Sequence, residues 1–191
     1  MKDKVIEVSK DRQIIILDDF FTFSEISGNY SNAISYKYSI YNSNESEVQD
    51  LSHKRLGCPL EMSDPILMNI FDEKRLDKLK EYIPQESFYH WRSYINLGIH
   101  SDNHKIHVDD FKVGDGITLL YYINRNWDKD WGGETTFYDD DRNEILYTSP
   151  FVPGRLIIFS STIPHSAKPQ HFNAPPYRFT LASKFKRHGS V

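Results

Sequence analysis

Gly116-Ile117-Thr118-Leu119-Leu120-Tyr121-Tyr122-Ile123 decides how this chain is read. The run is β-branched and aromatic, which favours a strand over a helix. Successive strand side chains alternate, so Thr118, Leu120 and Tyr122 share one face. Further strand-like runs flank it at Phe88–Asn96, Glu134–Tyr138, Glu144–Thr148, Arg155–Phe159 and Arg178–Phe185, separated by polar or Gly/Pro segments. Many short strands in series predict a sandwich or barrel, not alternating βαβ units. Ahead of them Gln13–Leu17 reads as a buried strand stopped by Asp18-Asp19, and Thr22 or Ser24 caps a helix to about Ala33. Ser63-Asp64-Pro65 then opens a single helix with Ile66, Leu67, Ile70, Phe71, Leu76, Leu79 and Ile83 on its apolar face, ended by Pro84. The expected fold is mainly β with flanking helices: a small barrel or jelly roll with N-terminal helices packed on the major sheet.

The 191 residues suffice for one domain with a sizeable core, and 12 Tyr, 12 Phe and 3 Trp make that core strongly aromatic. A formal charge of −4 gives no electrostatic reason to expect a nucleic-acid partner. Cys58 is the only cysteine, so no internal disulfide forms, in keeping with a reducing compartment. The N-terminus has no uninterrupted apolar segment to act as a signal peptide. No run approaches the roughly 18 apolar residues of a membrane helix. A soluble, cytoplasmic protein without a membrane partner is expected. The polar, unpatterned stretch 41–62 is longer than a simple connector and reads as a candidate substrate lid, with His53, Lys54 and Arg55 as contacts.

Chemistry concentrates at His107-Val108-Asp109 and at His165 in Ile163-Pro164-His165-Ser166. On a strand, His107 and Asp109 point to the same side. With His165 arriving from another strand, two imidazoles and one carboxylate leave three positions open on an octahedral ion, the donor set of non-haem Fe(II) oxygenases. A strand-end histidine bonded to a carboxylate is the plainer reading, and a closed zinc site using His100 or His104 is another. Arg178 and Thr180 share a face of the last strand. If that face is inward, the guanidinium needs an anion there. The distal carboxylate of a dicarboxylate suits it, gripped by two parallel N–H groups; one of the chain's own carboxylates would serve as well. Tyr122 either sets its hydroxyl beside that anion or fills the core.

Taken in order, His107-x-Asp109, Tyr122-Ile123-Asn124, Trp127, Gly132-Gly133-Glu134-Thr135-x-Phe137, Pro153-Gly154-Arg155-Leu156-Ile157-Ile158-Phe159, His165-Ser166 and Arg178-x-Thr180 resemble the Fe(II)/2-oxoglutarate dioxygenases of the prolyl-4-hydroxylase-like branch. Tyr121 to Asp128, YYINRNWD, is similar to prolyl hydroxylases that hold the co-substrate with arginine. The resemblance covers about residues 88–186 and implies that this span is a double-stranded β-helix. Residues 1–87 then supply the N-terminal strand, the helices and the lid loop of one domain, 1–191. It further implies Fe(II) on His107, Asp109 and His165, and the 2-oxoglutarate C5 carboxylate on Arg178 with Tyr122 and Thr180. Tyr94, in Ser93-Tyr94-Ile95-Asn96, would also contact the co-substrate. O2 is the other co-substrate, with ascorbate as a supporting reductant.

The implied activity is hydroxylation of an unactivated C–H, with peptidyl proline as the leading substrate and a free amino acid or other small molecule as the alternative. Nucleic-acid dealkylation fits an acidic chain poorly, because it needs a basic surface and a base-reading lid. A non-catalytic binding barrel would need neither an intact triad nor Arg178.

Overall fold

The computed structural model describes residues 2–40, 56–100, 102, 104–110 and 112–189. In chain order the elements are β1 (Lys2–Ser9), β2 (Arg12–Asp18), α1 (Phe23–Ser35), β3 (Ser39–Ile40), β4 (Leu56–Leu60), α2 (Pro65–Ile70), α3 (Glu73–Lys80), β5 (Phe88–Gly98), β6 (Gly116–Tyr122), β7 (Thr135–Tyr138), β8 (Ile145–Ser149), β9 (Leu156–Ser160), β10 (His165–Ala167) and β11 (Arg178–Arg187). Eight strands form a major sheet in the order β1-β2-β9-β6-β11-β5-β4-β3, and β10-β7-β8 form a minor one. All pairings are antiparallel. This is the double-stranded β-helix that the resemblance implies, with the helices laid on the major sheet.

Strand alternation sorts the apolar residues into two cores. Ile15, Leu17, Leu119, Tyr121, Leu156, Ile158, Phe179 and Leu181 leave the outer face of the major sheet and meet Ala33, Ile66, Leu67, Ile70 and Leu79 of the helices. Their neighbours Ile14, Ile16, Tyr122, Ile157 and Phe159 point inward and meet Phe137, Phe151 and Ile163. Each such side chain taken fully out of water contributes about 1.5–3 kcal/mol. Two-sided burial is why these strands read as continuous apolar runs. No helix among the described residues is long and apolar enough to cross a membrane.

The helices differ from expectation in one respect. The single helix expected over 66–83 is two, α2 and α3, broken at Phe71 and Asp72. Asp72 turns its carboxylate back to accept from the Arg75 backbone N–H at 2.9 Å, capping a new helix in place of continuing the old one. Arg75 then ties the layer together. It pairs with Asp72 and with Glu25 and donates to the carbonyls of Phe20 and Asn69. Thr22 caps α1 in a reciprocal box with Glu25, and Asp64 caps α2 with Pro65 in its first turn.

The expected 41–62 loop is also corrected at its far end. Leu56–Leu60 is a strand, pairing β5 from Leu56 opposite Leu97 to Leu60 opposite Ser93. The remainder of the proposed lid, with His53, Lys54 and Arg55, lies outside the described residues.

Candidate active site

His107 does not lie on a regular strand, as the i, i+2 argument assumed. It forms an isolated antiparallel bridge with His165, at the start of β10. Its N–H donates to the His165 carbonyl at 3.0 Å, and the His165 N–H returns the bond at 2.9 Å. Two residues on, the N–H groups of Asp109 and Asp110 both donate to Ser161 O, at 2.8 and 3.1 Å. The segment is therefore extended but held by the chain leading into β10. That backbone pairing brings the two imidazoles together, with ring centroids 4.4 Å apart.

Both rings are oriented by carbonyls. His165 Nδ1 lies 2.9 Å from Ile163 O, and His107 Nδ1 lies 3.1 Å from Lys105 O. A carbonyl only accepts, so each Nδ1 carries a proton, and in the neutral ring each Nε2 presents its lone pair to the site. Asp109 completes the group: Oδ1 is 3.8 Å from His107 Nε2, and Oδ2 is 3.6 Å from His165 Nε2. One ligand atom from each of the three lies within 4.8 Å of the others, the one such cluster among the described residues. Burial alone would raise the Asp109 carboxyl. Lys184 and then the two imidazoles reverse that and hold it well below the usual carboxylate range. A carboxylate kept ionised between two imidazoles is ready to take a dication.

A cavity runs from this cluster along the inward face of β11, and Arg178, Thr180, Ala182 and Lys184 all line it. Tyr94, Asn96, Thr118, Leu120, Thr135 and His104 complete much of the wall. At its far end Arg178 is only 5% exposed. Its Nε donates to Gly133 O at 2.8 Å, and its carbon lies 5.1 and 5.7 Å from the ring centres of Phe151 and Tyr122. Nη2 is buried with no hydrogen-bond partner. Burial lowers the Arg178 pKa from its ordinary value, with only partial relief from Tyr122 and Glu134.

Arg155 is the useful contrast. Asp18 grips its guanidinium through two bonds of 2.7 and 2.9 Å, and that partner raises its pKa against burial. No carboxylate among the described residues does this for Arg178. A buried cation without its anion is costly, so the cavity's far end suits an external carboxylate.

Two glycines make this socket. Gly132 and Gly133 both have positive φ, 69° and 78°, which L side chains resist. A Cβ at Gly133 would sit 3.1 Å from both Arg178 Cδ and Trp127 Cζ2. Gly133→Ala is therefore expected to cost about 1–2 kcal/mol of stability and to weaken binding at Arg178 more than metal binding. Parallel titrations of 2-oxoglutarate and metal into the variant check this; equal losses in both would count against the socket.

The expected co-substrate residues fall unevenly. Arg178, Thr180 and Tyr94 line the cavity; Tyr122 does not. Its hydroxyl donates to Thr135 Oγ1 at 2.8 Å and lies 3.4 Å from Ser149 O, while its ring stacks on Phe151 at 4.4 Å. Alternation gave Tyr122 its face but not its depth, and its hydrogen-bond partner Thr135 lines the cavity in its place. His100 is turned to Ala174 O and Phe172 and takes no part in the cluster. Two site residues were missed. Lys184 pairs with Asp109 Oδ2, and Thr118 donates to the same oxygen at 2.7 Å. Alternation from Arg178 reaches Lys184 directly, but a strand lysine ordinarily reads as solvated.

Residues 90–185 match the model of the 2OG-Fe(II) oxygenase superfamily. The chain belongs to that superfamily. This oxygenase is an Fe(II)/2-oxoglutarate-dependent dioxygenase, and both halves of its cavity suit those two cofactors. No curated protein sequence matches it. Its fold is similar to a Pseudomonas putida prolyl-4-hydroxylase, with a TM-score of 0.69 at 17% identity over 92% of this chain and 93% of that one. A Trichoplax adhaerens prolyl hydroxylase, solved with a hypoxia inducible factor oxygen degradation domain peptide fragment, gives 0.68 at 19% identity over 91% and 83%. HygX from Streptomyces hygroscopicus, solved with nickel and 2-oxoglutarate, gives 0.67 at 10% identity over 93% and 84%.

Proposed function

We propose that this oxygenase hydroxylates an unactivated C–H bond, with a prolyl residue in a peptide as its substrate. On this reading His107, Asp109 and His165 hold the iron through two Nε2 atoms and a carboxylate oxygen. Arg178 takes the C5 carboxylate of 2-oxoglutarate, with the Thr180 and Thr135 hydroxyls beside it and Tyr94 along the cavity wall. The bound iron supplies the activation of O2 that is coupled to decarboxylation of 2-oxoglutarate to succinate. The apolar Leu120 and Phe159 side chains help keep water from the reacting centre.

The observation that carries the co-substrate half is the orphaned Arg178 Nη2, one cavity's length from the triad. The YYINRNWD run supports it physically. Asn124 accepts from Phe179 N at 2.7 Å and donates to Tyr177 O at 2.9 Å, fixing the start of β11. Trp127 Nε1 donates to Gly132 O at 2.9 Å and braces the glycine turn. The run that resembles the arginine-using prolyl hydroxylases is thus the run that builds the Arg178 socket. The prolyl half is supported by that resemblance and by the two prolyl hydroxylases named above.

Succinate release from 2-oxoglutarate with Fe(II) and ascorbate tests it, across proline-containing peptides and free amino acids. Stimulation by the peptides, with one oxygen gained on proline, is the expected result. Stimulation by free amino acids alone would replace the substrate with a small molecule and leave the reaction class standing.

A further inference from the structure

Lys184 is the buried group that this reading leaves unused. It is 6% exposed, lines the cavity, and lies four residues beyond Thr180 on the inward face of β11. Its ammonium pairs with Asp109 Oδ2 and donates to Thr118 Oγ1 at 3.2 Å, and Thr118 in turn donates to that same carboxylate oxygen at 2.7 Å. Oδ2 thus receives two donors from the protein, while among the described residues none donates to Oδ1.

The asymmetry matters because of how the carboxylate faces the cluster. Each of its oxygens looks toward a different imidazole Nε2, at 3.8 Å for Oδ1 and 3.6 Å for Oδ2. An unrestrained carboxylate in that attitude can bind a dication with both oxygens. The second oxygen would fill one of the three positions that two histidines and one carboxylate leave open. A chelating co-substrate and O2 need all three.

We infer that Lys184 is a positioning residue: with Thr118 it holds Asp109 Oδ2 away from the metal, so that Asp109 binds through Oδ1 alone and 2-oxoglutarate finds two positions free. The inference rests on His107, Asp109 and His165 being the metal site. Lys184 acts through Asp109 and touches neither co-substrate nor substrate in this role. Arginine can reproduce the pairing because it keeps the charge and offers N–H donors to a carboxylate; methionine fills similar space with neither.

The test uses the full chain with Mn(II) in place of iron, anaerobically, in the wild type, Lys184→Met and Lys184→Arg. In Lys184→Met, Mn(II) alone should bind as tightly as in the wild type or more tightly, since a nearby cation is gone and a second oxygen is released. Affinity of the Mn(II)-loaded variant for 2-oxoglutarate should fall at least tenfold, and Lys184→Arg should recover most of it. Unchanged 2-oxoglutarate affinity in Lys184→Met would overturn the inference, as would parallel loss of metal and co-substrate binding in a variant whose melting temperature is retained. Should Lys184→Met fail to fold, a crystal structure of the Mn(II)-loaded wild type decides. Asp109 bound through one oxygen with Lys184 on the other is expected; two bound oxygens, or Lys184 turned away, would refute it. His165→Ala is the control for the site itself. Undiminished Mn(II) binding there would sink the triad, a failure distinct from that of Lys184.

Discussion

His107→Ala, Asp109→Ala and His165→Ala are each expected to abolish metal-dependent turnover of 2-oxoglutarate, because two remaining ligands cannot hold the ion in place. Their stabilities should separate. His107 keeps about a third of its side chain in contact with solvent, at 31%, so truncating it removes little packing. The Asp109 side chain is 10% exposed and is the counter-charge of the Lys184 side chain, itself 8% exposed. Removing one partner of a buried pair leaves an uncompensated charge, at about 3–5 kcal/mol. For a chain of this length that corresponds to roughly 6–20 °C in melting temperature, so Asp109→Ala should melt well below His107→Ala. Adding Lys184→Met to Asp109→Ala should return much of the stability and none of the activity. Thermal melts of the metal-free variants, beside succinate release with Fe(II), measure both effects. Full activity in all three single variants, or a melting temperature for Asp109→Ala equal to that of His107→Ala, would contradict the site described.

Much of this site was legible because strands obey a simple alternation. The strand runs from Phe88 onward were visible as apolar, β-branched segments, and alternation put Arg178 with Thr180 on one face of their strand and Thr118 with Tyr122 on one face of theirs. What alternation lacks is depth. It could not show that the Tyr122 hydroxyl is spent on Thr135 and Ser149, leaving Thr135 to face the cavity. Charge misled in two places. Lys184 could not be linked to Asp109 because the two are distant in sequence and a strand lysine ordinarily reads as solvated. Lys2–Ser9 was passed over because Lys, Asp and Glu are interleaved with its apolar residues, as suits an edge strand that pairs only with β2. The division of α2 from α3 was hidden for a third reason: Asp72 occupies a polar position in an unbroken helical pattern, and only its turn back onto the Arg75 N–H reveals a cap. His107 and Asp109 were paired for a reason that was only partly correct. The spacing brings them to one side, but the bridge to His165 sets the geometry, and its partner strand is three residues long.

Arg178 separates a 2-oxoglutarate enzyme from a generic metal-binding barrel. Its guanidinium is buried, held at Nε by Gly133 O, and left with an unused N–H group at Nη2. Arg178→Ala is expected to weaken 2-oxoglutarate binding while leaving metal binding nearly unchanged, since the residue is at the other end of the cavity from the triad. Truncating one partner of a buried charge pair costs about 2–5 kcal/mol, so the affinity should fall at least tenfold. Arg178→Lys should restore only part of this, because a point charge replaces a two-pronged donor and leaves Gly133 O without its Nε partner. Thr135→Val should give a smaller loss in the same direction, from one neutral hydrogen bond worth about 0.5–1.5 kcal/mol. Tyr122→Phe should be milder than Thr135→Val, since its hydroxyl acts on the anion only by orienting Thr135. Anaerobic titration of 2-oxoglutarate into the Fe(II)-loaded protein, followed by the visible charge-transfer band, ranks the four variants in one experiment. Unchanged affinity in Arg178→Ala would move the anchor elsewhere. Lys184 would be the next residue to test, as the other cation on the cavity wall, and its pairing with Asp109 would then have to give way when the co-substrate binds.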